Sequence, residues 1–328
     1  MGRYIIQRLL LVIPTVIVIS IISFIVIQLP PGDFLSSYIA TLEAGGQVVD
    51  EAQVAALRMQ YGLGEPVYVQ YFKWVGGIIF QGEFGQSFQW KRPVSELIGE
   101  RMMLTVVLSL ASLLLVWAIS LPIGIYSAVR QYSPGDYFFT LISFIGLGVP
   151  NFLLALVLMW LAYTQFGMSV GGLFSPEYAD APWSWDKFVD FLGHLWIPAI
   201  VLAIGGIAGL IRIMRANLLD ELPKPYVVTA RSKGMTERAL VLKYPVRVAL
   251  NPFVSTIGWT LPGLVSGSII VSVVLNLPTT GPMLLTALQS QDMYLAGATL
   301  LLLSILTVIG TLISDILLAW LDPRIRFN

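Results

Sequence analysis

Residues 9–27 read "LLLVIPTVIVISIISFIVI", 19 consecutive positions without a charge. A helix rises 1.5 Å per residue, so such a run reaches across a hydrocarbon layer of about 30 Å, where backbone polar groups must find partners within their own segment. Arg3 and Arg8 precede the run, which is the layout of a secretory signal, but it exceeds the roughly 7–15 apolar residues of a signal's core. The "QLPPGD" that follows has no small-x-small cleavage site, so a retained first membrane helix is expected. Met1-Gly2 is followed by Ile6 where a myristoylation signal has Ser or Thr, which gives lipidation no support.

Working outward, five more stretches are apolar and long enough to cross: approximately Met102 to Val129, Phe138 to Phe166, Leu192 to Ile211, Val248 to Leu275 and Leu295 to Trp320. Pro14, Pro122, Pro150, Pro198, Pro262 and Gly310 lie within these runs and predict kinks and close helix contacts. With 56% hydrophobic and 12% charged residues in 328, the chain is too apolar for a soluble core; the expected fold class is all-α, a polytopic membrane protein of six transmembrane helices. Three parts are expected: an N-terminal transmembrane helix (1–28), an extracytoplasmic segment (29–101) and a core transmembrane domain (102–328) that carries a basic loop over 221–247.

Lysine and arginine in short connections stay cytoplasmic. Arg3, Arg8, Arg130, Arg212, Arg215, Lys224, Arg231, Lys233, Arg238, Lys243, Arg247, Arg324 and Arg326 all fall on one side, 13 of the 19 basic residues. "SPEYADAPWSWDKFVD" and "LPTTGPMLLTALQSQD" on the other are mostly acidic or neutral, so both termini are expected in the cytoplasm. Segment 29–101 is then outside. Within it, Asp50 is a candidate N-cap for a helix with Val54, Leu57 and Tyr61 on one face. "PVYVQYFKWVGGIIF" puts Val67, Tyr71, Trp74 and Ile78 on one stripe, as in a helix lying on the membrane surface. These pieces either plug the outer ends of the spans or dock a partner, with membrane lipid in contact in both cases.

The composition also excludes chemistry. The formal net charge is +0, which argues for no nucleic-acid partner, and zero cysteines remove disulfides, thiolate nucleophiles and cysteine metal sites. His194 stands alone, so no metal site and no catalytic residue is assigned. There is no Gly-Lys dipeptide and hence no phosphate-binding G-x-x-x-x-G-K-[ST] loop, so the chain is not expected to hydrolyse ATP or to bind a cofactor itself. "GLVSGS", Gly263 to Ser268, reads as small-residue helix packing and not as a serine nucleophile. Asp315 lies inside the last span with Ser304, Thr307 and Thr311 on its face; near the end of that span, with water or Arg324 in reach, it reads as a structural helix-end group. Half-chain repeats that would mark a gradient-driven carrier are not evident.

The basic loop is harder to reduce to topology. "YVVTARSKGMTERALVLKYPVRVAL", Tyr226 to Leu250, follows Pro223 and Pro225, which break one helix and start another. Val227, Ala230, Gly234, Arg238 and Val241 recur at helical spacing, so one helix over Tyr226 to Leu242 is expected. Ala230 and Gly234 (beside Met235) would then open a place for another surface to approach. Glycine inside a helix costs about 1 kcal/mol relative to alanine, which asks for a packing reason.

This stretch resembles the cytoplasmic coupling-loop motif of bacterial ABC importer permeases, in the form seen in the dipeptide/oligopeptide family. Ala230 and Gly234 match the motif's last alanine and its glycine, and "ARSKG" is similar to the family's A-R-A-K-G. "MGRYIIQRLLLVIPTV", "QYGLGEPVYVQYFKWVGGIIFQGEFGQSF" and "LDPRIR" resemble the family's N-terminus, outer segment and ending, so the likeness runs end to end. Val228 and Thr229 replace the motif's glutamate and first alanine, Tyr244 to Arg247 stand where sugar importers have I-x-L-P, and "PTTGP" replaces the family's P-G-L-G-R.

The resemblance implies the type I ABC importer transmembrane fold in the bacterial inner membrane. It implies a second homologous permease, two cytoplasmic ABC ATPases that hold ATP and Mg, and an extracytoplasmic solute-binding protein. Tyr226, Thr229, Ala230, Arg231, Lys233, Gly234, Met235 and Arg238 would meet the ATPase. Ser255, Trp259 and Ser266 are candidates for lining the solute path, with plain helix packing as the other reading. Di- or oligopeptides are the expected solute; related branches carry oligosaccharides, opines or nickel. A gradient-driven carrier and a non-catalytic membrane docking module are the alternative classes.

Overall fold

A computed structural model of the chain describes residues 2–28, 39, 55, 59, 65–87, 89–167, 171–179, 181–255, 269–290 and 292–321. The helices in chain order are α1 (Gly2–Gln28), α2 (Val67–Gly76, continued by one π-helical turn, Gly77–Gln81), α3 (Val94–Val129), α4 (Pro134–Gly148), α5 (Asn151–Phe166) and α6 (Trp185–Glu221). Then come α7 (Pro225–Ser232), α8 (Glu237–Lys243), α9 (Pro245–Ser255), α10 (Thr280–Gln289) and α11 (Met293–Leu321). Two-residue strands β1 (Gln86–Ser87) and β2 (Arg92–Pro93) pair antiparallel, a small addition to described residues that are mostly helical.

Helices α1, α3, α6 and α11 are each long and apolar enough to cross a membrane. The expected third span is not one helix. Val149 precedes Pro150, whose ring pushes the residue before it into the extended region (φ −85°, ψ 123°), and α4 and α5 meet at 104°. Of the expected fifth span, α9 and a helical stretch over 269–274 are described; Trp259, Ser266 and "GLVSGS" lie outside the described residues, as do Asp50, Val54, Leu57, Tyr61, Arg324 and Arg326.

The chain divides into two compact units. The first comprises Leu9–Thr105 and Thr279–Leu306. Its core joins Phe24, Trp74, Leu97, Met283 and Leu295, all buried. Of the expected stripe on α2, Trp74 is buried and Tyr71 and Ile78 pack beside it, whereas Val67 is exposed. Tyr71 meets the Phe24 ring edge-on at 5.5 Å and exchanges a 2.7 Å hydrogen bond with Ser20, which ties α2 to α1. Asp292 caps α11 by accepting from the Leu295 amide and also accepts from the Ser87 hydroxyl at 2.5 Å, so the small hairpin is held at the start of the last helix.

The second unit comprises Met1–Arg8, Val106–Pro278 and Thr307–Asn328. Its α3 and α6 approach so closely that a Cβ at Gly124 would lie 2.7 Å from the Met214 Cβ, which only glycine avoids. Asp315 has a partner the sequence did not indicate: Arg8 of α1, at 3.2 Å. Ser184 caps α6, and the buried Lys187 one turn on donates to the Ala181 carbonyl at 2.5 Å under the faces of Phe174 and Trp183.

Candidate functional site

The basic loop is two short helices and a turn, not the single helix that the spacing predicts. Pro223 and Pro225 end α6 and open α7; Lys224, the residue before Pro225, is extended (φ −62°, ψ 144°) and caps the new helix. The ladder stops at Gly234, whose φ of +81° is the left-handed conformation that ends helices at little steric cost only for glycine. The Gly234 amide donates to the Arg231 carbonyl at 3.0 Å, and α8 starts afresh after Thr236. Gly234 is therefore a chain reversal and not a notch in a helix. A Cβ built on it meets nothing within 4 Å, so the space outside the turn is open.

The loop is fixed from below by apolar burial. Val227, Ala230, Leu240 and Val241 are buried in one cluster with Met214 and Leu218 of α6 and Val246, Ala249 and Phe253 of α9. One face of each short helix thus supplies the apolar side, at positions 227 and 230 on α7 and 240 and 241 on α8. Both flanking helices share this cluster, so the loop is packed against each of them.

A second tie reaches α4. Ser133 caps that helix by accepting from the Asp136 amide at 3.2 Å, and Asp136 accepts from the Tyr132 amide at 3.0 Å. The Asp136 carboxylate also takes two parallel bonds from Arg215, Nε to Oδ1 at 3.0 Å and Nη2 to Oδ2 at 2.9 Å. The Asp136 side chain is 3% exposed, so this bidentate, charge-assisted pair is desolvated on the carboxylate side. Sequence reasoning counted Arg215 only as a cytoplasmic charge and missed Asp136. The signal was there: Ser133-Pro-Gly-Asp136 before an apolar run is a capping-box spacing with proline in the first helical turn.

What the loop presents outward is mixed, with polar and basic side chains beside the exposed Val228 and Leu242. Tyr226, Thr229, Arg231, Lys233, Gly234 and Arg238 are exposed and Met235 is half-buried, whereas Ala230 belongs to the core below and is not available to an approaching surface. Arg231 bridges the turn to Glu237, Nη2 to Oε2 at 3.1 Å, and this hydrogen bond holds the Glu237 carboxyl below its usual range. The Tyr226 hydroxyl donates to Glu221 Oε2 at 2.6 Å; partial burial first, and then that carboxylate, push its ionisation well above the usual phenol range. Of the candidate path residues, Ser255 is described: it is exposed at the end of α9.

The same organisation is met in known proteins. Residues 120–327 match the family described as "binding-protein-dependent transport system inner membrane component", and residues 1–111 match that family's N-terminal component. The chain is 37% identical, over the full length of both chains, to the oligopeptide transport system permease protein AppB of Bacillus subtilis (strain 168). It is 32% identical, again over both full lengths, to the glutathione transport system permease protein GsiC of Salmonella typhimurium (strain LT2). Its fold is similar to a chain of the MetNI methionine ABC transporter solved in inward-facing conformations, with a TM-score of 0.54, 18% identity, and coverage of 69% of this chain and 96% of that one. The chain belongs to the binding-protein-dependent transport system inner membrane component family, and it is an ABC importer permease of that family's peptide branch.

Proposed function

We propose that this permease forms half of a solute path in a bacterial inner membrane and that its loop over 221–247 receives the stroke of a cytoplasmic ATPase. Both termini and the loop lie in the cytoplasm, as the lysine and arginine asymmetry requires. The N-terminal helix (1–28), the extracytoplasmic segment (29–101) and the core domain (102–328) keep the roles that the resemblance implies. A second homologous permease completes the path, two ATPases hold ATP and Mg, and an extracytoplasmic binding protein delivers the solute. Di- or oligopeptides are the solute class, by likeness to relatives named for oligopeptide and glutathione transport. Ser255, Trp259 and Ser266 line the path.

One observation supports this reading above the others: the loop turns basic side chains, with Val228 and Leu242 among them, outward and is welded inward, through Val227, Leu240 and Val241, to the two helices it connects. A loop that only met solvent would not need a shared core with both. Closure of the ATPases pushes α7 and α8, and α6 and α9 follow as one body, which switches the side from which the path is open. Arg231 and Lys233 meet acidic or polar groups of the ATPase, and Gly234 leaves its surface room at the turn. A carrier reading gains nothing from Asp315, which is already paired with Arg8.

The test replaces Gly234 twice in the assembled transporter. Gly234→Ala adds backbone strain alone, because its Cβ meets open space, whereas Gly234→Trp also fills the space outside the turn. Solute-stimulated ATP hydrolysis and uptake should survive Gly234→Ala in reduced form and be abolished in Gly234→Trp with the chain still inserted. Normal uptake by Gly234→Trp with the ATPases attached would overturn the coupling role. Labelling of Lys233→Cys by an impermeant thiol reagent from outside would overturn the orientation, and the absence of native cysteine keeps that result clean.

A further inference from the structure

A groove of about 380 Å³ runs between the C-terminal end of α3 and α8. Ile125 and Val129 of α3 and Leu242 of α8 give it apolar walls, and Arg130 and Arg238 stand on its lining. Neither guanidinium has an ion-pair partner among the described residues, and Glu237, the acidic group of the lining, is engaged by Arg231. The groove is far larger than the roughly 30 Å³ of a water molecule, yet its apolar walls offer water few partners. We propose that it binds an anionic phospholipid, with acyl chain along the apolar walls and phosphate held by Arg130 and Arg238.

Two features choose this occupant. The groove joins an apolar wall to two cations without ion-pair partners among the described residues, which is the complement of an anionic amphiphile; a free anion would use the cations and leave the wall wet. Its place in the chain fits as well, since Ile125 and Val129 belong to the last turns of a helix long and apolar enough to cross the bilayer, and Arg130 follows that helix directly, on the side the charge asymmetry puts in the cytoplasm. Tyr126 in the same turns is 37% exposed, and Tyr132 and Tyr137 close by are 69% and 61% exposed, in keeping with aromatic residues at headgroup level. On this reading the apolar wall takes the acyl chain and the side chains of Arg130 and Arg238 take the phosphate.

The inference rests on the proposed orientation and deepens the coupling reading. Arg238 lies on the second helix of the loop, so a bound phospholipid would join that helix to the end of α3, and Arg238 would face lipid instead of the ATPase. Basic pockets at the cytoplasmic ends of spans gain affinity for anionic headgroups with each added charge.

The test is direct binding, independent of transport. The complete transporter, with wild-type chain or with Arg130→Gln/Arg238→Gln, is delipidated in detergent and titrated with phosphatidylglycerol or phosphatidylcholine under native mass spectrometry. The wild type should retain phosphatidylglycerol in preference to phosphatidylcholine, and the double variant should bind it roughly thirtyfold more weakly, the effect of two basic residues. Excess inorganic phosphate should not displace it. Equal retention by both forms overturns the proposal, and displacement by inorganic phosphate reduces the site to a simple anion site and overturns it too. A photo-cross-linking residue in place of Leu242 should capture lipid; capture of an ATPase or permease chain instead would mean a protein interface and overturn it. Failure of the coupling role, seen as normal uptake by Gly234→Trp, leaves these binding results unchanged, so the two readings fail separately.

Discussion

Two arginine–carboxylate pairs brace the same part of this permease with nearly the same bidentate geometry and opposite surroundings. Arg215 holds Asp136 where the side chains are 27% and 3% exposed; Arg231 holds Glu237 where they are 47% and 61% exposed. The first joins separate helices, α6 and α4, whereas the second spans one turn between neighbouring short helices. Desolvation makes the difference. Once an ion is out of water its partner is indispensable, while an exposed pair exchanges one set of hydrogen bonds for another with water. The buried pair is therefore a fixed joint beneath the basic loop, and the exposed pair is a surface feature open to rearrangement by the ATPase contact proposed above.

The comparison is tested most severely by removing one partner of the buried pair. Arg215→Ala leaves the enclosed Asp136 carboxylate without its counter-charge, so a loss of about 3–5 kcal/mol is expected, measured as a drop in thermal unfolding temperature of the purified protein in detergent. Asp136→Asn/Arg215→Met removes both charges and should recover much of that loss. If the single and double variants unfold alike, burial of charge is not what makes this joint matter.

Leu240→Ala probes the apolar weld in the same assay. Leu240 is 0% exposed between the loop and the two flanking helices, and truncation of a buried leucine costs about 2–5 kcal/mol. The variant should also loosen transmission, so that ATP hydrolysis in the assembled transporter becomes less dependent on solute. Lost stability with stimulation unchanged would mean that the weld supports the loop without transmitting its movement.

Gly234→Ala is expected to be milder. The left-handed conformation costs a residue with a Cβ about 1–2 kcal/mol, and nothing nearby adds a clash. It also shows where sequence reading stops. The first, second, fourth and last of the expected spans were legible because apolar length is set by bilayer thickness, and the loop was legible because charge and prolines mark it. Its shape was not, since Ala230 and Gly234 fit helical spacing whether the chain continues or reverses, and a glycine's φ leaves no trace in the pattern. The bend at Val149 had a visible cause in Pro150, but its 104° is set by packing that no local rule contains. Asp136 escaped for a different reason: its spacing marks a cap, whereas its partner Arg215 lies 79 residues away and only the fold joins them.

Arg231→Ala should have the smallest effect, and its pH dependence gives the sharpest contrast with the buried joint. The hydrogen bond from Arg231 holds the folded-state carboxyl of Glu237 below its unfolded value. A depressed carboxyl contributes stability that is present above the unfolded value, near pH 4.3 for glutamate, and is lost as pH falls through the lower folded value. Wild type and Arg231→Ala should therefore unfold at nearly the same temperature when pH falls below the folded value, and separate only slightly above about pH 4.3. Added salt should shrink even that separation, because both groups face water. In Arg215→Ala the partner Asp136 is almost fully enclosed, and the deficit at neutral pH should persist in salt. A salt-insensitive deficit in Arg231→Ala as well would mean that the turn pair is structural like the buried one, and that the outward face of the loop is more rigid than a surface awaiting a partner needs to be.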